Sequence, residues 1–259
     1  MSIEHWTFAF EQLFLPAECT LCHTLLGDRD AAHLTCAVCR TRFRAVRPPW
    51  CERCGQPEPR FGPCRLCAEW PVALKTARSA VWLVDEAQQA VHALKYGGLP
   101  RIADDLALAT ASLRPPTDEA TGGALIPIPL APKRFRQRGY NQSELLARAL
   151  GRKWRIPVLT DLLIRTRETP TQTALTGATR VANVAGAFGV ANVQRCANVR
   201  RSMINDHWPL DIGHWTLIIV DDVFTTGATL AEAARTLEHA GAQRIHAVTF
   251  ARAAIPDFT

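Results

Sequence analysis

Two groups of residues in this chain could do chemistry: a series of cysteine pairs near its start, and an acidic, threonine- and glycine-rich segment near its end. The cysteines come as Cys19/Cys22, Cys36/Cys39, Cys51/Cys54 and Cys64/Cys67, four CxxC pairs that take eight of the nine cysteines. A CxxC can fold as a knuckle whose two thiolates face one tetrahedral metal, and two knuckles close a four-cysteine structural zinc site. Thirteen residues separate the first pair from the second and nine the third from the fourth, spacings that suit zinc ribbons. Consecutive pairing is the simplest assignment, and crossed pairing would also close two sites. Disulfides suit a secreted chain, and nothing in the sequence points to secretion. A redox CxxC would occur once, beside a βαβ pattern. The sequence therefore predicts one or two structural Zn²⁺ ions. Cys196 stands alone and reads as a small buried apolar residue. Arg40, Arg42, Arg44 and Arg47 could meet nucleic-acid phosphates, or could offset the negative charge of a tetrathiolate zinc centre.

The second group is LIIVDDVFTTGATL, residues 217–230. An apolar strand runs into Asp221 and Asp222, a Thr/Gly turn follows, and a helix starts. In an open parallel sheet, ligands sit at the carboxyl ends of strands. Thr225, Thr226, Gly227, Ala228 and Thr229 would set backbone N–H groups and hydroxyls around one phosphate, at the positive end of the helix. Gly227 would permit close backbone approach. Asp221 and Asp222 would lie further out, as acceptors for a pair of sugar hydroxyls. Phosphate at one end and diol at the other describes a ribose 5-phosphate.

The elements that must position these residues are readable in outline. Trp6, Phe10, Leu13 and Phe14 mark one face of a short helix, read as packing on its own protein; a membrane-surface helix would carry more Lys and Arg beside it. After the cysteines, residues 80–84 read as a strand. Residues 86–95 read as a helix stopped by Gly97 and Gly98, and a further helix passes through Leu106 and Leu108. Residues 114–123 read as a loop and 124–129 as a short apolar run. Asn141 with Glu144 resembles a capping box that opens a helix through Leu146 and Leu150. Residues 165–189 read as a long mobile loop, 217–220 as a strand buried on both faces, 227–240 as a helix, and 245–250 as a last strand. Alternating strands and helices predict an α/β fold with a mostly parallel sheet. We expect two domains: residues 1–70, an N-terminal helix and double zinc ribbon, and residues 71–259, the α/β domain.

Composition is ordinary for a globular protein, 47% hydrophobic and 21% charged. No stretch approaches 18 consecutive apolar residues, so no membrane insertion is expected, and the start of the chain lacks the pattern of a signal peptide. The expected location is the cytoplasm. The formal charge of +6 would fall to about +2 with eight thiolates holding two Zn²⁺. Its distribution says more: residues 133–167 hold ten Lys and Arg against Glu144 and Asp161.

Residues 217–230 resemble the loop of type I phosphoribosyltransferases that binds 5-phosphoribosyl 1-pyrophosphate (PRPP). The four knuckles, HALKYGG (92–98), IPIPLAPKRFRQRGYNQ (126–142), RTRETPTQTALTGATRVANVAGAF (165–188) and the PRPP loop follow in an order that resembles the ComF/GntX family, from about Pro16 to Arg252. The resemblance implies a type I phosphoribosyltransferase-like sheet flanked by helices. In it Asp221 and Asp222 hold the ribose hydroxyls, the turn Thr225, Thr226, Gly227, Ala228 and Thr229 holds the 5′-phosphate, and Val223 joins the PRPP-binding set. It further implies a pyrophosphate loop at 129–134 with Lys133 and Arg134, and a flexible loop with Gln172, Thr173, Arg180 and Asn183. Mg²⁺ would accompany PRPP, and the biological setting would be DNA uptake in natural competence, with single-stranded DNA and uptake or helicase machinery as partners. Any acceptor hood must come from the ribbon or from residues 68–98, and the acceptor itself is not legible. Two other readings stand beside a phosphoribosyltransferase. One is a single-stranded nucleic-acid module that uses Arg136, Arg138 and Tyr140, with Phe135 and Trp154 as further aromatics; Trp154 reads rather as core. The other is a regulator that senses PRPP without turnover. Residues 191–214 look longer than the family needs, and no function is assigned to them.

Overall fold

The structure is a computed structural model and describes residues 17–57, 64–117, 122–167, 184–191 and 212–254. Four parallel strands form the central sheet in the order β1-β6-β5-β2: β1 is Leu74–Trp82, β2 Gly123–Pro127, β5 Thr216–Phe224 and β6 Arg244–Arg252. β3 (Leu163–Arg165) and β4 (Phe188–Val190) form a separate antiparallel pair. Among the described residues the α-helices are α1 (Ala37–Thr41), α2 (Asp85–Tyr96), α3 (Ile102–Thr110), α4 (Pro132–Arg138), α5 (Gln142–Trp154) and α6 (Ala228–His239).

β5 is central because both its faces are apolar. Leu217 and Ile219 point into a core shared with α6, and Ile218 and Val220 into one shared with α2, α3 and α5. A period-two strand buried on both sides is what a two-layered helical cover requires. The strand is longer than the apolar run predicts. It continues through both aspartates to Phe224, because β6 runs alongside and pairs Asp221 with Thr249 and Phe224 with Arg252.

Other boundaries move for similar reasons. β1 begins at Leu74, six residues before the expected start, held by its pairing with β6. The ends of the expected 165–189 loop are β-structure, Arg165 facing Phe188. Asn141 caps α5, its side chain accepting from Ser143 N at 3.1 Å, but the reciprocal half of the capping box is absent. Glu144 turns along the helix to Arg148, whose Nε donates to it at 2.9 Å.

The first ribbon, from Cys19 to Cys39, docks on α3. Buried Asp105 there accepts from Leu34 N, Thr35 N and Thr35 Oγ1 at 3.0, 2.8 and 2.8 Å, and its other oxygen meets His33 Nδ1 at 2.5 Å. Residues 44–46 then cover the edge of β1: Val46 N donates to Ala80 O and Trp82 N to Arg44 O. A covered edge cannot recruit a foreign strand. No helix among the described residues is long and apolar enough to cross a membrane.

Candidate functional site: two metal centres and a cleft at the sheet's carboxyl edge

Both metal centres form from consecutive knuckles. Cys19, Cys22, Cys36 and Cys39 bring their sulfurs together, as do Cys51, Cys54, Cys64 and Cys67, each set within 4.8 Å. The shortest contacts are 3.7 Å for Cys22–Cys36, 3.7 Å for Cys51–Cys67 and 3.5 Å for Cys54–Cys64. A tetrahedral Zn²⁺ with bonds of about 2.3 Å sets its sulfurs about 3.8 Å apart, so both clusters fit it. Backbone N–H groups already point at sulfur: Cys36 N donates to Cys19 Sγ at 3.2 Å and Cys39 N to Cys36 Sγ at 3.4 Å. Burial pushes the Cys67 thiol up to about 12, so ionising it requires the metal's own charge. Two of the four ribbon arginines have structural partners. Arg40 pairs with Asp30 at 2.6 Å, and Arg42 with Glu86 at 3.3 Å.

The cleft opens where β5 ends. Its volume is about 480 Å³, within the usual range for small-ligand sites. β5 and the turn supply Asp221, Asp222, Val223, Phe224, Thr225 and Gly227, and α6 supplies Thr229 and Leu230. The opposite wall is one face of α2: Gln88, Val91, His92, Lys95 and Tyr96, at spacings of three and four residues. Pro129, Leu130, Arg134 and Arg138, from the entry to α4 and α4 itself, close one side with Gln142 and Arg165. Four basic side chains, Lys95, Arg134, Arg138 and Arg165, thus border a cleft holding two carboxylates. That balance suits a polyanionic ligand.

The two aspartates differ. Asp222 is 3% exposed, and Lys95 Nζ stands 2.5 Å from its Oδ2. Gln142 Nε2 donates to its Oδ1 at 3.4 Å. Burial alone would raise this carboxyl, but the Lys95 charge overcomes it and holds Asp222 below its ordinary value. Burial also works against the Lys95 ammonium, and Asp222 raises it nonetheless. Asp221 accepts from Ser143 Oγ at 2.7 Å and from Asp222 N at 2.9 Å. Burial, then the adjacent Asp222 charge, push Asp221 up to about 7. One carboxylate is therefore fixed as an anion by a lysine, and its neighbour titrates near neutrality.

The turn is held from beneath by aromatic rings. Gly227 has φ +77°, and a Cβ there would come 2.6 Å from Trp70 Cζ2 and 2.9 Å from Phe224 Cζ. The glycine is thus required by the turn's floor, a stricter reason than the ligand approach anticipated from sequence. Thr226 Oγ1 accepts from Ala228 N at 3.4 Å, within the turn itself.

The other expected residues divide. Arg134 and Arg138 line the cleft, while Lys133 and Arg136 are exposed and do not line it. Arg138 also hydrogen-bonds Gln142 and lies 5.4 Å from the Tyr96 ring. Tyr140 is half-buried and donates its hydroxyl to Leu94 O at 2.7 Å. Trp154 is core, 5% exposed, with Nε1 donating to Ala111 O. Phe135 remains 47% exposed. Gln172, Thr173, Arg180 and Asn183 lie outside the described residues, as do Cys196, the N-terminal aromatic face and most of 191–214. Sequence reasoning gave no role to Lys95, Gln142, Ser143 or Arg165. A lysine one position from Leu94, beside the apolar stripe of that helix, was the available signal for the first.

Residues 10–68 match the Double zinc ribbon domain, and residues 144–256 the Phosphoribosyl transferase domain. The DNA utilization protein YhgH of Salmonella typhi is 30% identical over 243 residues, 90% of this chain and 96% of that protein. The chain belongs to the ComF/GntX family. Competence protein F of Haemophilus influenzae is 35% identical over 130 residues, half of each chain. Competence protein ComFC of Bacillus subtilis is 25% identical over 212 residues, 80% of this chain and 78% of its own. Within the ComF/GntX family this chain joins a double zinc ribbon to a phosphoribosyltransferase-like sheet, and the zinc is structural: both cysteine sets are complete, leaving no open ligand position.

Proposed function

We propose that this protein binds PRPP in the cleft at the end of β5 and serves the handling of DNA, as the names of its relatives say of them. The observation that carries the reading is the juxtaposition of paired aspartates, a Thr/Gly turn at the start of α6, and four bordering cations in one cleft. Amides and hydroxyls of the segment 225–229 would take the 5′-phosphate. Asp221 would accept a ribose hydroxyl, with Asp222 beside it, its charge balanced by Lys95. Arg134 and Arg138 would face the pyrophosphate. If a bound acceptor displaces pyrophosphate, these cations stabilise the charge that develops on the leaving group.

Mg²⁺ fits only in part. A lysine already stands at Asp222, so a divalent ion would share Asp221 with the ligand's own oxygens. When bound it would neutralise pyrophosphate charge. The acceptor side would be the α2 wall of Gln88, His92 and Tyr96.

A second reading is favoured by the exposed Phe135 amid Arg134, Arg136 and Arg138 on α4. That surface suits the stacked bases and phosphates of a single strand. Binding to single-stranded DNA that weakens steeply with salt supports it, and salt-insensitive or absent binding removes it.

The test of the main reading is a thermal-shift titration with PRPP, with and without Mg²⁺, on wild type and the Asp221→Asn/Asp222→Asn double variant. Wild type should gain several degrees at saturating ligand and the variant none. A wild type that does not respond refutes PRPP binding, and response without turnover across candidate acceptors points to a sensor rather than an enzyme.

A further inference from the structure

Among the described residues, the two ribbons meet the rest of the molecule in different places, and the second lies next to the turn that borders the cleft. Arg53, inside the knuckle of Cys51 and Cys54, spends its guanidinium on the carbonyls of Cys67, Trp70 and Pro71, at 3.0, 3.0 and 2.8 Å. That clamp fixes Trp70, which is 8% exposed and packs against Phe224 with ring centroids 6.2 Å apart. Trp70 and Phe224 are the two rings beneath Gly227.

Arg252, at the end of β6, completes the link. It is fully buried. Its guanidinium lies 3.9 Å over the Phe224 ring, donates to Cys54 O at 3.0 Å, and donates to Gln56 Oε1 at 2.7 Å. Its Nε is buried with no hydrogen-bond partner among the described residues. A buried cation with an unsatisfied nitrogen is costly, and is compensated where it faces a centre of opposite charge. Four thiolates around one Zn²⁺ carry a net charge of −2, and Cys54 belongs to that set.

We propose that the second zinc ribbon is a working part of the phosphate-binding turn, with Arg252 and Trp70 as positioning residues that transmit the fold around Cys51, Cys54, Cys64 and Cys67 to residues 225–228. The first ribbon, docked on α3 through Asp105, has no such role. The inference rests on reading the turn as a ribose-phosphate cradle.

The test uses full-length, zinc-loaded protein and two variants that leave every cysteine in place, Arg252→Met and Trp70→Phe. Zinc content is counted, binding of ribose 5-phosphate and of pyrophosphate is measured separately by calorimetry, and amide exchange is followed at residues 225–228. Both variants should keep two zinc ions, weaken ribose 5-phosphate about tenfold, leave pyrophosphate within about twofold, and speed exchange at the turn. Cys22→Ser, which opens the first centre, should leave ribose 5-phosphate binding unchanged. Equal weakening of both ligands would mean general damage to the cleft and would overturn the positioning role. So would unchanged binding and exchange in both variants, or a loss in Cys22→Ser as large as theirs. Wild-type protein that binds no ribose 5-phosphate overturns the reading of the cleft and this ligand role with it, which separates that failure from the others.

Discussion

At the scale of single residues, the cleft is governed by unequal treatment of two neighbouring acids. Lys95 satisfies Asp222 and leaves Asp221 to titrate, so the pair carries one fixed charge and one adjustable charge. The consequence for stability has a definite sign. Asp221 is raised from its ordinary 3.8 to about 7, so its contribution to the folded state is present below about pH 4 and is lost as pH rises through 7. Asp222 is depressed, so its contribution is present above about pH 4 and is lost on acidification. Asp221→Asn keeps an acceptor for Ser143 and cannot ionise. Ligand-free, it should be more stable than wild type at pH 8 by about 1–3 kcal/mol and close to wild type at about pH 4, as read by urea denaturation at both pH values. Lys95→Met should act oppositely, because it leaves a 3%-exposed carboxylate without its cation. A loss of about 2–4 kcal/mol at pH 7 is expected, together with PRPP binding that depends more on Mg²⁺ than in wild type. A Lys95→Met protein as stable as wild type would show that the ion pair contributes nothing net.

At the scale of elements, the strand–turn–helix from β5 to α6 is where local sequence and tertiary packing meet. Gly227→Ala tests that meeting. The new methyl would lie 2.6 Å from one ring and 2.9 Å from another, at φ +77°. Backbone strain and overpacking together should cost about 2–4 kcal/mol by chemical denaturation and remove the PRPP-induced thermal shift. Wild-type stability would mean that the rings move aside easily. This element also shows how legibility divides. The apolar run 217–220 and the glycine were readable because both follow from local rules of period and φ. The strand's continuation through Asp221 and Asp222 was not, because it depends on β6 lying alongside. The cysteine knuckles were readable from spacing, and their consecutive pairing was the simplest of the open options. Lys95, Gln142, Ser143 and Arg165 were hidden for one shared reason: they come from three places in the chain, and only folding brings them to the acids. Glu144 failed as a capping partner because Arg148, one turn on, offers it a charged donor.

At the scale of the whole molecule, two small metal-centred units are fastened to one sheet by different chemistry, and the fastenings should be separable. The second ribbon shares the apolar core of the sheet, since Cys54, Cys67 and Trp70 pack with Leu217, Ile219 and Phe224. The first ribbon has its own small core around Cys19, Leu26, Cys36 and Cys39. Its most buried polar tie to the sheet domain is Asp105 on α3, which is 1% exposed and gathers three donors on one oxygen. Asp105→Ala removes the acceptor and strands two backbone N–H groups and the Thr35 hydroxyl. An unsatisfied buried donor costs about 1–3 kcal/mol, so the expected loss is about 3–5 kcal/mol after partial hydration of the opened interface. Zinc need not be released with it, because all four ligands of that centre come from within the ribbon. Asp105→Ala should therefore keep two zinc ions per chain, melt at lower temperature, and become cleavable by protease in the residues that join the ribbon to the sheet. PRPP binding should stay within about twofold of wild type, since no contact described above connects Asp105 to the cleft. If the variant loses one zinc along with the docking, the first ribbon depends on the sheet for its fold, and the two units are one cooperative structure rather than a sheet carrying a detachable module.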